Sequence, residues 1–248
     1  MGRWEEAIKA YDEVIEHSPA KAPGAWMDKA MCYSEGLGTI NESIDACVMA
    51  AELIPVDDIE NQSTIWSGMA KSLSDSGRYE EALQAYEKAI ELNPKDAHGW
   101  PNWSGKAYAL YVLGRYNESI EASDAAIEML PEHPDIWVLK GNSLYHLGRY
   151  EEALEAYDKA LEFNPKEGAA WMGKGRIFYD NGRYEEAVEA YDKAIEFAPF
   201  NVTPVVDLYA MNLSATAWAG EGEALKALGR QAEAGDAFAK ARELGYEG

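Results

Sequence analysis

Three stretches of this 248-residue chain begin 34 residues apart with the same words: GRYNESIEASDAAIEMLP at Gly114, GRYEEALEAYDKALEFNP at Gly148 and GRYEEAVEAYDKAIEFAP at Gly182. A period of that size constrains the fold more tightly than composition does, because a unit so short cannot bury its own apolar face and must stack on its neighbours. GRYEEALQAYEKAIELNP at Gly77 is a fourth copy and GTINESIDACVMAAELIP at Gly38 a looser one; Gly229 opens a degenerate copy, and GRWEEAIKAYDEVIEHSP opens the chain at Gly2. Upstream of each glycine except the first stands a tryptophan at nearly constant distance: Trp26, Trp66, Trp103, Trp137, Trp171 and Trp218.

Within one unit the residues spell two helices. In PDIWVLKGNSLYHLG, Trp137, Gly141 and Leu144 recur at helical spacing, and Gly148 supplies the left-handed residue that stops the helix. The second helix has Glu151 and Glu152 in its first turn and Lys159 near its end, as the helix dipole favours, and Glu155 with Lys159 is expected as a pair four residues apart. Ala153, Tyr157 and Ala160 form its apolar stripe, and Asn164-Pro165 ends it, since the residue before proline is pushed out of the α region.

A Trp, a Gly, an aromatic or aliphatic residue, Gly-Arg-Tyr, Ala, Tyr, Ala and Pro over 34 residues resembles the tetratricopeptide repeat family across nearly the whole chain. The resemblance implies an all-α, right-handed superhelical solenoid. It also implies that Trp137 and Tyr157 act as wedges, with Gly141, Ala153 and Ala160 at the close contacts between helices; Trp171, Gly175, Ala187, Tyr191 and Ala194 repeat the pattern. The expected organisation is one domain over 1–248: a half repeat at 1–22, repeats at 23–57, 63–96, 100–133, 134–167, 168–201 and 215–248, and an insertion at 202–214. The second repeat carries one extra residue near Leu37. Because the chain opens on a second helix, Trp4, Ala7, Ile8 and Tyr11 have no first helix of their own unit to pack against.

Composition and motifs narrow the function. The net charge of −22 would repel a nucleic-acid backbone or an anionic membrane. No apolar run long enough to span a bilayer and no signal pattern occurs, so a cytoplasmic location is the default expectation. Cys32 and Cys47 are the only cysteines and the histidines are scattered, which argues against a metal site, a disulfide framework or any cofactor. GAAWMGKG, from Gly168 to Gly175, approaches a phosphate loop, yet Gly175 stands where the magnesium-holding Ser or Thr belongs, and a helix end precedes it rather than a strand. Neighbouring pairs such as Glu151-Glu152 point about 100° apart on a helix and cannot act as a dyad. An enzyme is therefore not expected.

The resemblance implies that first helices line a concave groove for an extended or helical peptide. Turning about 100° per residue from each Trp brings Tyr108, Tyr111, Val138, Asn142, Tyr145, Met172, Arg176 and Tyr179 to that side in the middle repeats. Rigid amphipathic rings with a few fixed polar groups suit peptide binding; packing between neighbouring helices is the competing reading. The family's clamp for the chaperone C-terminus EEVD is not matched, because Val138, Gly173, Thr216 and Gly220 stand where its other polar residues belong, with Asn142 the one fit.

The insertion VTPVVDLYAMNLS matches nothing else in the chain. Thr203-Pro204 reads as a helix start, and an unbroken helix to Leu228 would run roughly 37 Å. Val205, Tyr209 and Leu213 then fall on one side of it, and three readings stay open: a groove wall, a self-association surface, or a cover over the preceding repeat. The expected function is a non-catalytic scaffold that binds a protein or peptide segment. The alternative is a self-assembling module using the N-terminal half repeat and the insertion.

Overall fold

The computed structural model describes residues 2–55, 57–94, 99–198 and 207–246, with the backbone alone at Gly2, Glu35, Gly99, Trp100 and 207–212. These residues form thirteen α-helices and no strand. The chain divides into two compact units, 1–131 and 132–248. The first holds α1 (Gly2–His17), α2 (Ala22–Met31), α3 (Ile40–Leu53), α4 (Ile59–Asp75), α5 (Tyr79–Leu92), α6 (Gly99–Val112) and α7 (Tyr116–Met129). The second holds α8 (Pro134–His146), α9 (Tyr150–Phe163), α10 (Gly168–Asp180), α11 (Tyr184–Phe197), α12 (Asp207–Ala227) and α13 (Gln231–Glu243). Within each unit every helix packs on the next, which is the helix-pair stacking expected of an α-solenoid.

The Gly-Arg turns make the pairs. Gly77, Gly148 and Gly182 have φ of 77°, 71° and 72°, a left-handed conformation that only glycine adopts at little cost. The N–H of the next arginine reaches back to the carbonyl five residues earlier, Arg78 to Leu73 at 2.9 Å and Arg149 to Leu144 at 3.0 Å, closing the first helix. The same arginine then forks onto the Glu three residues on: Arg149 Nε and Nη2 donate to Glu152 at 2.7 and 2.6 Å. That fork is exposed to water, which screens it, so it orients the turn more than it stabilises it. The extra residue near Leu37 is absorbed by widening the helix: Cys32–Leu37 is a π-helical turn, and Thr39 N–H reaches Tyr33, six residues back instead of five.

Packing between repeats is a ring against glycine. Tyr157 is 1% exposed, and a Cβ built on Gly141 or Gly173 would lie 2.6 or 2.3 Å from its ring. Tyr191 sits the same way between Gly175 and Gly220, while Ala153, Ala160, Ala187 and Ala194 are fully buried beside the rings. A wedge of this size buries on the order of 150–250 Å². Lys159 pairs with Glu162 at 2.7 Å rather than with Glu155, since positions three and four apart are both helix neighbours. At the N-terminus α1 packs on α2, with the Trp4 ring against Gly36.

The insertion extends the first helix of the last pair. α12 runs 21 residues without a break from Asp207 through Trp218 to Ala227. The expected start at Thr203-Pro204 and the side chain of Val205 lie outside the described residues, as does the side chain of Tyr209.

Candidate functional site

The second unit contains an open cavity of about 890 Å³ between α8, α10, α12 and α13. α8 and α10 contribute Tyr145, Arg176, Tyr179 and Asp180; α12 contributes Thr216, Gly220 and Glu223; α13 and the residues after it contribute Phe238, Arg242 and Tyr246. Repeat geometry sets the first wall. Tyr145 and Tyr179 occupy equivalent positions 34 residues apart, and each leans on the tyrosine of its own Gly-Arg-Tyr turn, Tyr145 on Tyr150 at 5.6 Å and Tyr179 on Tyr184 at 5.5 Å. Tyr145 is fixed further: its hydroxyl donates to Asp180 Oδ2 at 2.7 Å, and the Arg176 guanidinium lies 4.5 Å over its ring. Burial raises the Tyr145 phenol above its ordinary value, with the Asp180 hydrogen bond adding and Arg176 opposing. Burial and then Arg176 hold His146 below the ordinary imidazole range.

The far wall is set by α13. Phe238 stands at the wedge position and presses on Gly222 of its own repeat, but among the described residues no helix follows α13 to grip its other side. Gly245 then turns left-handed at φ 89°, and Tyr246 N–H reaches Ala241 at 3.0 Å, which carries the Tyr246 ring to the cavity. Arg176 and Arg242 form no ion pair among the described residues, whereas Arg78, Arg115, Arg149, Arg183 and Arg230 are each tied to a glutamate three residues on. The cavity is thus lined by partly buried aromatic rings beside two guanidinium groups and the carboxylates of Asp180 and Glu223.

Three of the eight groove residues expected from sequence, Tyr145, Arg176 and Tyr179, meet in this cavity. Asn142 accepts a hydrogen bond from the Tyr157 hydroxyl at 2.8 Å and so helps hold the wedge. Met172 packs on the core of the second unit. Val138 corrects the expectation: it is 5% exposed, because neighbouring packing covers the side on which helix rotation places it. Tyr108 and Tyr111 belong to the first unit, Tyr108 exposed and edge-on to Tyr79 at 6.1 Å, Tyr111 against Tyr116 at 5.9 Å. Leu213 is 6% exposed with its Cδ2 beside Gly168 of α10, which places it over the preceding repeat rather than on a free stripe. Phe238, Arg242 and Tyr246 were missed because only first helices were projected; the register of Phe238, nine residues after Gly229 as Tyr191 is after Gly182, was the available signal.

GAAWMGKG lies inside α10, with Gly173 and Gly175 pressed on Tyr157 and Tyr191, so its glycines make room for rings and not for phosphate.

Helix pairs locked by rings against glycines, with an aromatic and charged cavity at one end of a stack, define an α-helical repeat protein. Models of the tetratricopeptide repeat match residues 63–96, 105–168 and 144–211, together more than half of the chain, and the chain belongs to that family. Small glutamine-rich tetratricopeptide repeat-containing protein 2 of Mycosarcoma maydis is 33% identical over 90 residues, 36% of this chain and 24% of that protein; the chain thus spans about a quarter of this relative's length. Among solved structures, the C-terminal part of a TPR repeat-containing protein from Cytophaga hutchinsonii matches with a TM-score of 0.70 at 17% identity, covering 99% of this chain and 92% of that one. YrrB, a TPR protein with an unusual peptide-binding site, matches at 0.61 and 20% identity over 78% and 95% of the two chains. MamA from Desulfovibrio magneticus matches at 0.63 and 17% identity over 71% and 94%. At these identities the likeness is one of fold.

Proposed function

We propose that the chain is a non-catalytic scaffold that holds a peptide or protein segment, and that in the second unit the segment lies in the cavity between Tyr145 and Tyr246. One observation carries this reading: Tyr145 is locked by Asp180 and Arg176 before any ligand arrives, in a cavity that the half-buried rings of Tyr179 and Phe238 also line. A surface fixed in advance spares the ordering cost that weakens binding. Arg176 and Arg242, without ion pairs among the described residues of so acidic a chain, suit a segment that brings a carboxylate next to an apolar side chain. YrrB's peptide-binding site is a fold-level precedent for such a use of the repeats. Cys32 and Cys47, both free and buried, fit a reducing compartment and hence the cytoplasm.

Capture from a lysate of the native source tests the reading, with the wild-type chain compared against a Tyr145→Ala, Tyr179→Ala double variant of confirmed helicity. Retention of a protein by the first and its loss by the second supports the cavity; equal retention overturns it. The self-assembling alternative uses the N-terminal half repeat and the insertion with Val205, Tyr209 and Leu213, of which Leu213 is engaged within its own chain. Light scattering over a range of concentrations separates the two, since self-assembly requires a mass that grows with concentration.

A further inference from the structure

An ion pair recurs between successive repeats. The acid that follows the wedge residue of one repeat meets the lysine three residues after the Trp of the next: Asp12 with Lys29 at 2.6 Å, Glu87 with Lys106 at 3.0 Å, Asp158 with Lys174 at 2.5 Å. Each of these lysines also lies over its tryptophan, at 4.3, 5.6 and 5.2 Å for Lys29, Lys106 and Lys174. At the last junction the register is unchanged and the charge is reversed. Asp192 follows Tyr191 as Asp158 follows Tyr157, but the residue three after Trp218 is Glu221. An acid therefore faces an acid where those three junctions hold a pair; at the junction of α3 and α4 the same two positions are the apolar Val48 and Met69.

Glu221 is 9% exposed and its Oε2 is buried without a hydrogen-bond partner. The charged groups around it come from both neighbouring helices: Asp192 on α11, and Arg230 and Glu233 at the head of α13. Arg230 is already committed, its Nε and Nη2 donating to Glu233 at 2.8 and 2.5 Å. α10, the remaining helix against α12, touches it at Gly168 beside Leu213 and faces Gly220 and Glu223 across the cavity with Arg176 and Asp180. A buried carboxylate with a like charge opposite and no free cation is stable only if it keeps its proton.

We infer that the reversed pair makes the seat of α12 and α13 on α11 a pH-operated joint: with Glu221 protonated the last helix pair stays docked, and with Glu221 ionised it is repelled from Asp192. Burial first, then Asp192, with Arg230 opposing and Glu233 adding, pushes Glu221 up to about 7 from an ordinary 4.5. Asp192 is raised as well, by burial foremost. Because the folded-state value lies above the unfolded one, the docked state binds the extra proton; its advantage is complete below about pH 4.5 and is lost as pH rises through 7. The joint bears on the cavity, since Gly220, Glu223, Phe238, Arg242 and Tyr246 ride on α12, α13 and the turn beyond, while Tyr145, Arg176 and Tyr179 do not.

The test uses the full chain in three forms: wild type, Glu221→Gln and Glu221→Lys. Amide hydrogen exchange of α12 and α13 is compared at pH 6 and pH 8 after correction for intrinsic rates, and the wild-type Glu221 carboxyl is titrated by carbon NMR. The carboxyl should titrate near 7, and opening of α12 and α13 should become about tenfold more frequent between the two pH values in wild type. Neither variant should show that step, and Glu221→Lys, which restores the ion pair with Asp192, should be more protected than wild type at pH 8. A carboxyl that titrates in the ordinary range, equal pH dependence in wild type and Glu221→Gln, or a Glu221→Lys chain less protected at pH 8 would each overturn the inference. The NMR titration needs no variant to fold.

Discussion

Gly173 has no room for a side chain because Tyr157 fills it: a Cβ built there would stand 2.3 Å from the ring's Cζ, with Gly141 closing on the same ring from the other side. Alanine is the better helix former by about 1 kcal/mol, so in open space this exchange should stabilise. Here the ring cannot retreat, and overpacking costs about 1–3 kcal/mol. Gly173→Ala should therefore lower stability in urea unfolding, while Gly235→Ala, inside α13 with nothing within 4 Å of its built Cβ, should raise it by up to about 1 kcal/mol. Two identical exchanges of opposite sign isolate the wedge.

The junction between α1 and α2 gives an asymmetric pair of exchanges. Lys29 is 6% exposed, whereas the side chain of Asp12 is about half exposed, at 55%. Asp12→Ala strands a buried ammonium and should cost about 1–2 kcal/mol. Lys29→Met keeps an unbranched stem against Trp26 and returns Asp12 to water, so it should cost less. Urea midpoints of the two variants, measured at pH 7, check the order.

Cavity residues should separate binding from folding. Arg242 is exposed and forms no ion pair among the described residues, so Arg242→Ala should change stability by no more than about 0.5 kcal/mol. Its loss should weaken capture of an acidic segment about tenfold, the worth of one charge-assisted hydrogen bond. Tyr145→Phe removes only the hydroxyl held by Asp180 and should cost about 1 kcal/mol or less in stability, with a measurable loss of affinity in titration calorimetry.

The thiols predict a step in alkali. Burial raises Cys47 from an ordinary 9 to about 11 and raises Cys32 in the same direction. The folded chain then holds a proton that the unfolded chain releases, so stability should fall as pH rises from 9 through 11. Cys47→Ala should lack that part of the fall. At pH 8 both thiols should react with a disulfide reagent only as fast as the chain opens, and at once in denaturant.

The helix pairs were legible because each repeat restates its own boundaries: a glycine that must turn left-handed, acids in the next first turn and a proline or its equivalent after the last. The packing between repeats was legible for the same reason, since Tyr157 and Gly141 recur as large and small residues at fixed register. The π-helical turn at Cys32–Leu37 was visible only as a surplus residue, since a length excess does not say whether a loop bulges or a helix widens. Groove residues were read less well. Rotation about one helix gives the direction of Val138 but not what stands against it, and burial is decided by the neighbour. The wall formed by Phe238, Arg242 and Tyr246 escaped because rotation was followed on first helices alone, whereas Phe238 and Arg242 lie on a second helix and Tyr246 in the turn beyond it. Glu221 carried no reading from the sequence, because its meaning lies in the ion pairs that lysines make from the same position, Lys29, Lys106 and Lys174 among them.

The ring-and-glycine interlock has a consequence for how such an array can grow. Because Tyr157 is seated by Gly141 of its own repeat and Gly173 of the next, a repeat is matched to its successor and not to repeats in general. Copying the unit around Gly148 in tandem would set Tyr157 against Leu139, the residue two after Trp137, where Gly173 now stands. Moving a unit with Ser123 at the wedge position in front of Gly173 would leave a hole the size of a phenol ring. Where the wedge is a fully seated tyrosine, as at Tyr86, Tyr157 and Tyr191, lengthening by duplication thus needs a glycine two places after the tryptophan that follows, and there the two positions must be inherited together across a repeat boundary.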